Sequence, residues 1–106
     1  MYGKVKIGEK EVELVANAAT PYRYKAIFHE DFLKKIKGQE EADPNDFFAK
    51  LGYVMAMQAE KKDMSKLSME TFYKWLEEFE PSDVFNACDG IAEVYAGNTE
   101  TSTDPK

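Results

Sequence analysis

His29, flanked by Glu30 and Asp31, is the only histidine in the chain and the first place to look for acid–base chemistry. Such catalysis needs a second group held against the imidazole, and residues one or two apart on a helix do not face each other. The trio therefore reads as an exposed turn, with neither a catalytic triad nor a metal cluster in its spacing. Cys88, the only cysteine, falls on an apolar helix face and reads as a small hydrophobe rather than a nucleophile. Glu77, Glu78 and Glu80 cluster without a histidine or aspartate at ligand spacing, which suits a solvated acidic face. No glycine-rich phosphate loop occurs. The expectation is a protein that is not an enzyme and needs no cofactor or metal.

Chemistry of association has more footing. Tyr53, Met55, Met57, Met64 and Met69 lie in or beside the central helices. Methionine-rich surfaces adapt to partners, while in a small domain methionines also fill irregular cores. Both readings stand at this point. Tyr22 and Arg23 follow Thr20-Pro21 in the first turn of a helix, where cations are disfavoured by the macrodipole. They form either an exposed amphipathic contact of the kind enriched at interfaces or, for Arg23 with Lys25, surface ion pairs of little energetic weight.

The elements that must position these residues follow from hydrophobic period. "YGKVKIGEKEVELVA" alternates apolar and charged residues on both sides of Gly8-Glu9-Lys10, which predicts a β-hairpin that must lie on a helical layer. From Thr20 the period becomes helical, with Tyr24, Phe28, Phe32 and Ile36 in one stripe widened by Ile27 and Leu33. Thr20 is the expected cap, Gly38 the stop, and the His29 trio a break between two pieces. After the polar connector of residues 38–45, a helix over residues 44–61 places Phe47, Phe48, Leu51, Val54 and Met55 on one face. Its other face carries Tyr53 and Met57 with Ala49 and Ala56, so this helix is either central to the fold or half reserved for a partner. If a partner surface, Tyr53 and Met57 should be partly exposed in the monomer.

Ser68 is a predicted N-cap, Leu67 can staple to Phe72, and Phe72, Trp75, Leu76 and Phe79 form the next buried stripe. Pro81 interrupts it. Ser82 restarts a helix that ends at Gly97, with Val84, Phe85, Cys88, Ile91, Ala92 and Tyr95 on one face. The segment after Gly97 has no apolar residue and is expected to be disordered. The fold class is thus mainly α with an N-terminal β-hairpin, a small bundle of four to five helices over residues 1–97, followed by a loose tail over 98–106.

Composition sets the outer bounds. The 106 residues allow one domain, and 43% apolar with 13% aromatic residues is enough for one modest core. Twenty acidic against 14 basic residues give a net charge of −6, which argues against nucleic acid and anionic membranes as partners. The apolar runs are too short for a transmembrane span or a secretory signal, and a lone cysteine excludes an internal disulfide. A cytosolic protein is expected.

Taken in order, "ANAATPYRYKAIF", "KLGYVMAMQAE", "FYKWLEEFEPSDVFNA" and "YAGNTETSTDPK" resemble segments of the small tail assembly chaperones of long-tailed phages and prophages of Gram-positive bacteria. The likeness covers the chain from Asn17 onward and the hairpin fits it; His29-Glu30 departs from it, where a glycine-containing turn is expected. It implies a helper of tail morphogenesis in the host bacterial cytoplasm. Its partner would be the tape measure protein, kept soluble and brought together with tail tube protein, in many relatives through a frameshift-extended form. Such helpers are absent from the finished virion. A small tail structural or completion protein retained in the virion is the alternative, and self-association into a homo-oligomer stays open. The candidate contact residues are Tyr53, Met57, Ala49 and Ala56, then Tyr22 and Arg23.

Overall fold

The alternation of Val5 and Ile7, then Val12 and Leu14, with charged neighbours folds as the hairpin it predicts. In the computed structural model, which describes residues 1–36 and 43–97, β1 (Tyr2–Ile7) pairs antiparallel with β2 (Lys10–Val15), Val5 opposite Val12. Gly8 takes φ 65° in the two-residue turn, a conformation open to glycine at no steric cost. The inner face of the hairpin lies on two helices, which bury Val5, Ile7 and Leu14.

Five helices follow: α1 (Thr20–Phe28), α2 (Phe32–Ile36), α3 (Pro44–Glu60), α4 (Met69–Leu76) and α5 (Asp83–Ala96), with a 3₁₀ turn over Met64–Lys66. Thr20 is not the cap of α1 but its first residue; Ala19 precedes the helix without a side-chain cap. The break after Phe28 is real. His29 adopts a left-handed φ of 60° and donates its N–H to the Lys25 carbonyl, and Asp31 then accepts from the Lys34 N–H to start α2. Histidine thus fills the place where a glycine turn would suit the backbone better.

Asp43 caps α3, and Ser68 caps α4 in a reciprocal box with Thr71. Gly97 ends α5 with φ 73°, as its position predicts. The expected stop at Gly38 and the tail over 98–106 lie outside the described residues.

α3 is the axis of the fold. Leu51, Val54 and Met55 are buried on one side, and Tyr53, Ala56 and Met57 on the other. The hairpin covers part of it, α5 another part, and α1 and α4 the rest. At Gly52 a Cβ would come within 2.8 Å of Ile91 Cδ1, so the glycine lets α5 approach α3 closely. Its helix-propensity cost, about 1 kcal/mol, is offset by that packing. An aromatic cluster fills the opposite end: Tyr24 lies 5.2 Å from Phe28, 5.3 Å from Phe32 and 5.5 Å from Phe47.

Two stripe assignments need correction. The buried face of α5 is Val84, Ala87, Ile91 and Val94, and Phe85 is 57% exposed. Consecutive helical residues are rotated by about 100°, so burying Val84 turns Phe85 to the margin. Leu33 is exposed for the same reason beside the fully covered Phe32. Among the described residues, no helix is long and apolar enough to cross a membrane.

Candidate functional site

Two polar groups are buried in the otherwise apolar run of α3, and each holds a junction of the fold. Gln58 donates from Nε2 to the Val15 carbonyl at 2.6 Å and to Thr20 Oγ1 at 2.9 Å. Its Oε1 accepts from Arg23 Nη1 at 3.2 Å. The amide therefore ties the end of β2 to the start of α1, with every bonding position used that the site demands. This is what the basic residue in the first turn of α1 does: Arg23 reaches inward to Gln58 instead of pairing with surface acids.

Lys50 is the second. Its ammonium, 4% of the residue exposed, lies 2.9 Å from both Glu30 Oε2 and Asp46 Oδ2 and 5.4 Å from the Phe28 ring centroid. Glu30 also accepts from the Tyr24 hydroxyl at 2.9 Å and faces Lys35 at 3.8 Å. Burial acts to raise the Glu30 carboxyl, but hydrogen bonds from Lys50 and Tyr24 and the two lysine charges outweigh it and hold it below the usual range. Burial likewise acts against the Lys50 charge, and its two carboxylate partners more than reverse that. The cluster fixes the α1–α2 break against α3.

Between the outer edge of β2 and α4 opens a groove of about 600 Å³. Tyr53, Met57 and Ala59 of α3 form its floor, Lys10 to Glu13 one wall, and Thr71, Lys74, Trp75 and Glu78 the other. The Tyr53 hydroxyl lies 2.7 Å from Thr71 Oγ1, and its ring 5.4 Å from both Trp75 and Phe72. Burial pushes this phenol up. At one end Lys10 bridges to Glu78 at 3.0 Å and sits 5.4 Å from the Phe79 ring centroid, linking the hairpin to the turn after α4 across the opening.

The sequence candidates therefore separate. Tyr53 and Met57 meet at the groove floor, but at 1% and 6% exposure they are core residues, not the partly exposed patch expected. A small domain with a two-sided apolar helix covers both sides, because leaving one in water forfeits its burial. Ala49 and Ala56 are buried as well and lie outside the groove lining, so the small-residue surface for a docking helix does not exist. Replacing Tyr53 and Met57 by charged residues would unfold the domain rather than probe a contact. Tyr22 is 72% exposed, as expected, and borders a pocket of about 140 Å³ with Pro21, Lys25, Asp31, Phe32 and Leu33. Arg23 is turned away from it to Gln58.

Sequence reading missed Lys50 and Gln58, although a lysine and a glutamine inside "KLGYVMAMQ" were the available signal. It also missed the wall of the groove, which pairs segments about sixty residues apart and leaves no local pattern. The catalytic candidates sit apart: His29 is exposed at its helix end, and Cys88 is half-buried with its Sγ 3.5 Å from the Val84 carbonyl. Burial, with the Asp89 and Asp43 charges, pushes that thiol up and away from thiolate chemistry. Among the described residues no group of His, Cys, Asp and Glu is arranged to hold a metal ion.

Compared with known proteins, the chain matches no family model, no curated protein and no solved structure.

Proposed function

We propose that this protein is a non-enzymatic tail assembly chaperone of a long-tailed phage or prophage. It acts in the host bacterial cytoplasm, binds the tape measure protein, keeps it soluble and leaves before the virion is complete. Tail tube protein is the second partner, met either directly or through a frameshift-extended form of this chain. One observation carries the reading. Of the four segments that resemble the chaperone family, "KLGYVMAMQAE" supplies the groove floor and "FYKWLEEFEPSDVFNA" the wall opposite β2. A third, "ANAATPYRYKAIF", holds Thr20 and Arg23 on Gln58 beside them. Three segments of the likeness thus converge on this groove of about 600 Å³, with aromatic and methionine side chains at its base.

The test is co-expression. Tape measure protein made alone should be insoluble, and made with this chain it should stay in the supernatant and co-purify with it. Purified virions should then lack the chain. Tape measure protein that is no more soluble with the chain than without it would defeat the reading. The chain in stoichiometric amount in virions would point to the tail structural protein instead.

A further inference from the structure

Ala16 donates its N–H to the Met1 carbonyl at 2.7 Å, and the Met1 amino group donates back to the Ala16 carbonyl. In an antiparallel ladder such bonded pairs alternate with unbonded ones. The register then makes Gly3 with Leu14, Val5 with Val12, and Ile7 with Lys10 the bonded pairs. Glu11, Glu13 and Val15 consequently turn their main-chain groups away from β1, toward the groove. The Val15 carbonyl shows this directly, since it accepts from Gln58. Among the described residues, the main-chain groups of Glu11 and Glu13 find no such partner.

The geometry points to β2 as a template for an incoming strand: the groove takes an extended segment of a partner protein in which lysine or arginine alternates with apolar residues. Free donors and acceptors spaced along a strand edge are matched in series by another extended backbone, at about 4.8 Å, whereas a helix about 10 Å across has its own backbone bonds satisfied. Side chains on an added strand alternate between two faces. One set reaches the groove interior, where Leu67 and Phe79 are partly exposed beside the covered Tyr53, Met57 and Trp75. The other joins the solvent face of the sheet beside Glu11 and Glu13, which stand opposite Lys6 and Lys4 of β1 but close no ion pair with them, leaving their carboxylates open to a second cation on the groove side. Like charges opposite one another on neighbouring strands repel and opposite charges attract, so cations are selected there. A second copy of the chain does not fit the same place. Its β1 has Val5 and Ile7 already buried with α5 packed on that strand, and its β2 would bring the exposed Glu11 and Glu13 to the same acidic face.

This names a recognition mode for the groove of the proposed function and rests on it for location only; the test uses no tape measure protein. The probe is an eight-residue peptide alternating lysine with valine, followed by the emission of Trp75, the only tryptophan and a groove residue. Saturable binding is expected, about tenfold tighter than for the same composition ordered with valines three and four apart. N-methylating one alternate set of its amides should abolish binding, and methylating the other set should spare it. Glu13→Gln removes the charge alone, and Glu13→Pro also removes an N–H that faces the groove but no bond to β1, so the proline variant should bind about tenfold more weakly than the glutamine variant at unchanged thermal stability. Equal binding of the helix-ordered peptide, equal effects of both methylated sets, or no binding at all would each overturn the proposal. Binding to Glu13→Pro as tight as to Glu13→Gln would do the same. Should that variant fail to fold, the methylated peptides on the unaltered chain decide alone.

Discussion

Gln58→Leu should be among the most damaging single changes outside the aromatic core, and its size follows from who loses a partner. The Val15 carbonyl, on a half-buried residue, loses its donor at 2.6 Å. Thr20, fully buried, loses one donor at 2.9 Å but keeps the Asn17 N–H at 3.0 Å. Arg23 is half-exposed and can turn to water. An orphaned buried acceptor costs about 1–3 kcal/mol and an ordinary lost hydrogen bond about 1 kcal/mol. The leucine side chain returns part of this by burial, leaving a loss of about 2–3 kcal/mol. For a domain of this size that is a fall in Tm of about 10–20 °C.

Gln58→Glu separates the hydrogen bonds from the volume. An ionised carboxylate cannot donate, so it sets oxygen against the Val15 carbonyl, with the Arg23 guanidinium and the Thr20 hydroxyl as its available donors. Burial against an acceptor raises the folded-state pKa of the introduced acid above its unfolded value. The penalty is therefore present at neutral pH and shrinks as pH falls through that raised value, by up to about 1.4 kcal/mol per unit. Urea unfolding at pH 7.5 and pH 5.5 measures both effects. Gln58→Leu within about 0.5 kcal/mol of the parent, a typical surface effect, would refute the tether. So would Gln58→Glu with the parent's pH dependence.

Lys50→Ala should cost about 1–3 kcal/mol by urea unfolding, because Glu30 loses its closest cation while keeping Tyr24 and the more distant Lys35, and Asp46 is half exposed. Glu30 sits below its ordinary range, so its stabilisation is complete above the unfolded value near about pH 4.3 and is lost as pH falls through the lower folded value. Glu30→Gln should accordingly flatten the acid limb of a Tm-against-pH curve below about pH 4.5. Trp75→Ala removes a ring 5.4 Å from Tyr53 and 5.1 Å from Phe79 and should cost about 3–5 kcal/mol; near-parental stability would contradict the α4 packing. Gly52→Ala should destabilise slightly despite alanine's better helix propensity, since overpacking against Ile91 costs about 1–3 kcal/mol against a gain of about 1.

What the chain revealed in advance was whatever a short window can hold. Alternation around Gly8, the Ser68 cap, Pro81 and the Gly97 stop are local signals, and each marks a real boundary. Periodicity also said that α3 is apolar on two sides. It could not say what covers the second side, because the cover comes from Phe72 and Trp75 of α4 and from β2, none of them neighbours in sequence. Phe85 and Leu33 failed differently. Each lies at the margin of a stripe, where a rotation of one residue decides between core and solvent. The break at His29 was legible as a polar trio, but its cause was not: Glu30 answers to Lys50, twenty positions away.

The same long-range polar contacts mark the two ends of the groove. Gln58 ties the Val15 end of β2 to α3 and α1, and the Lys10–Glu78 bridge ties the other end to the turn after α4. The bridge is weak by comparison, since both side chains are about half exposed and such pairs contribute about 0–1 kcal/mol. A partner entering the groove can break it at little cost, while the buried amide fixes where the edge begins. The strand proposed for this groove would therefore pair first beside Val15 and displace the Lys10 bridge last.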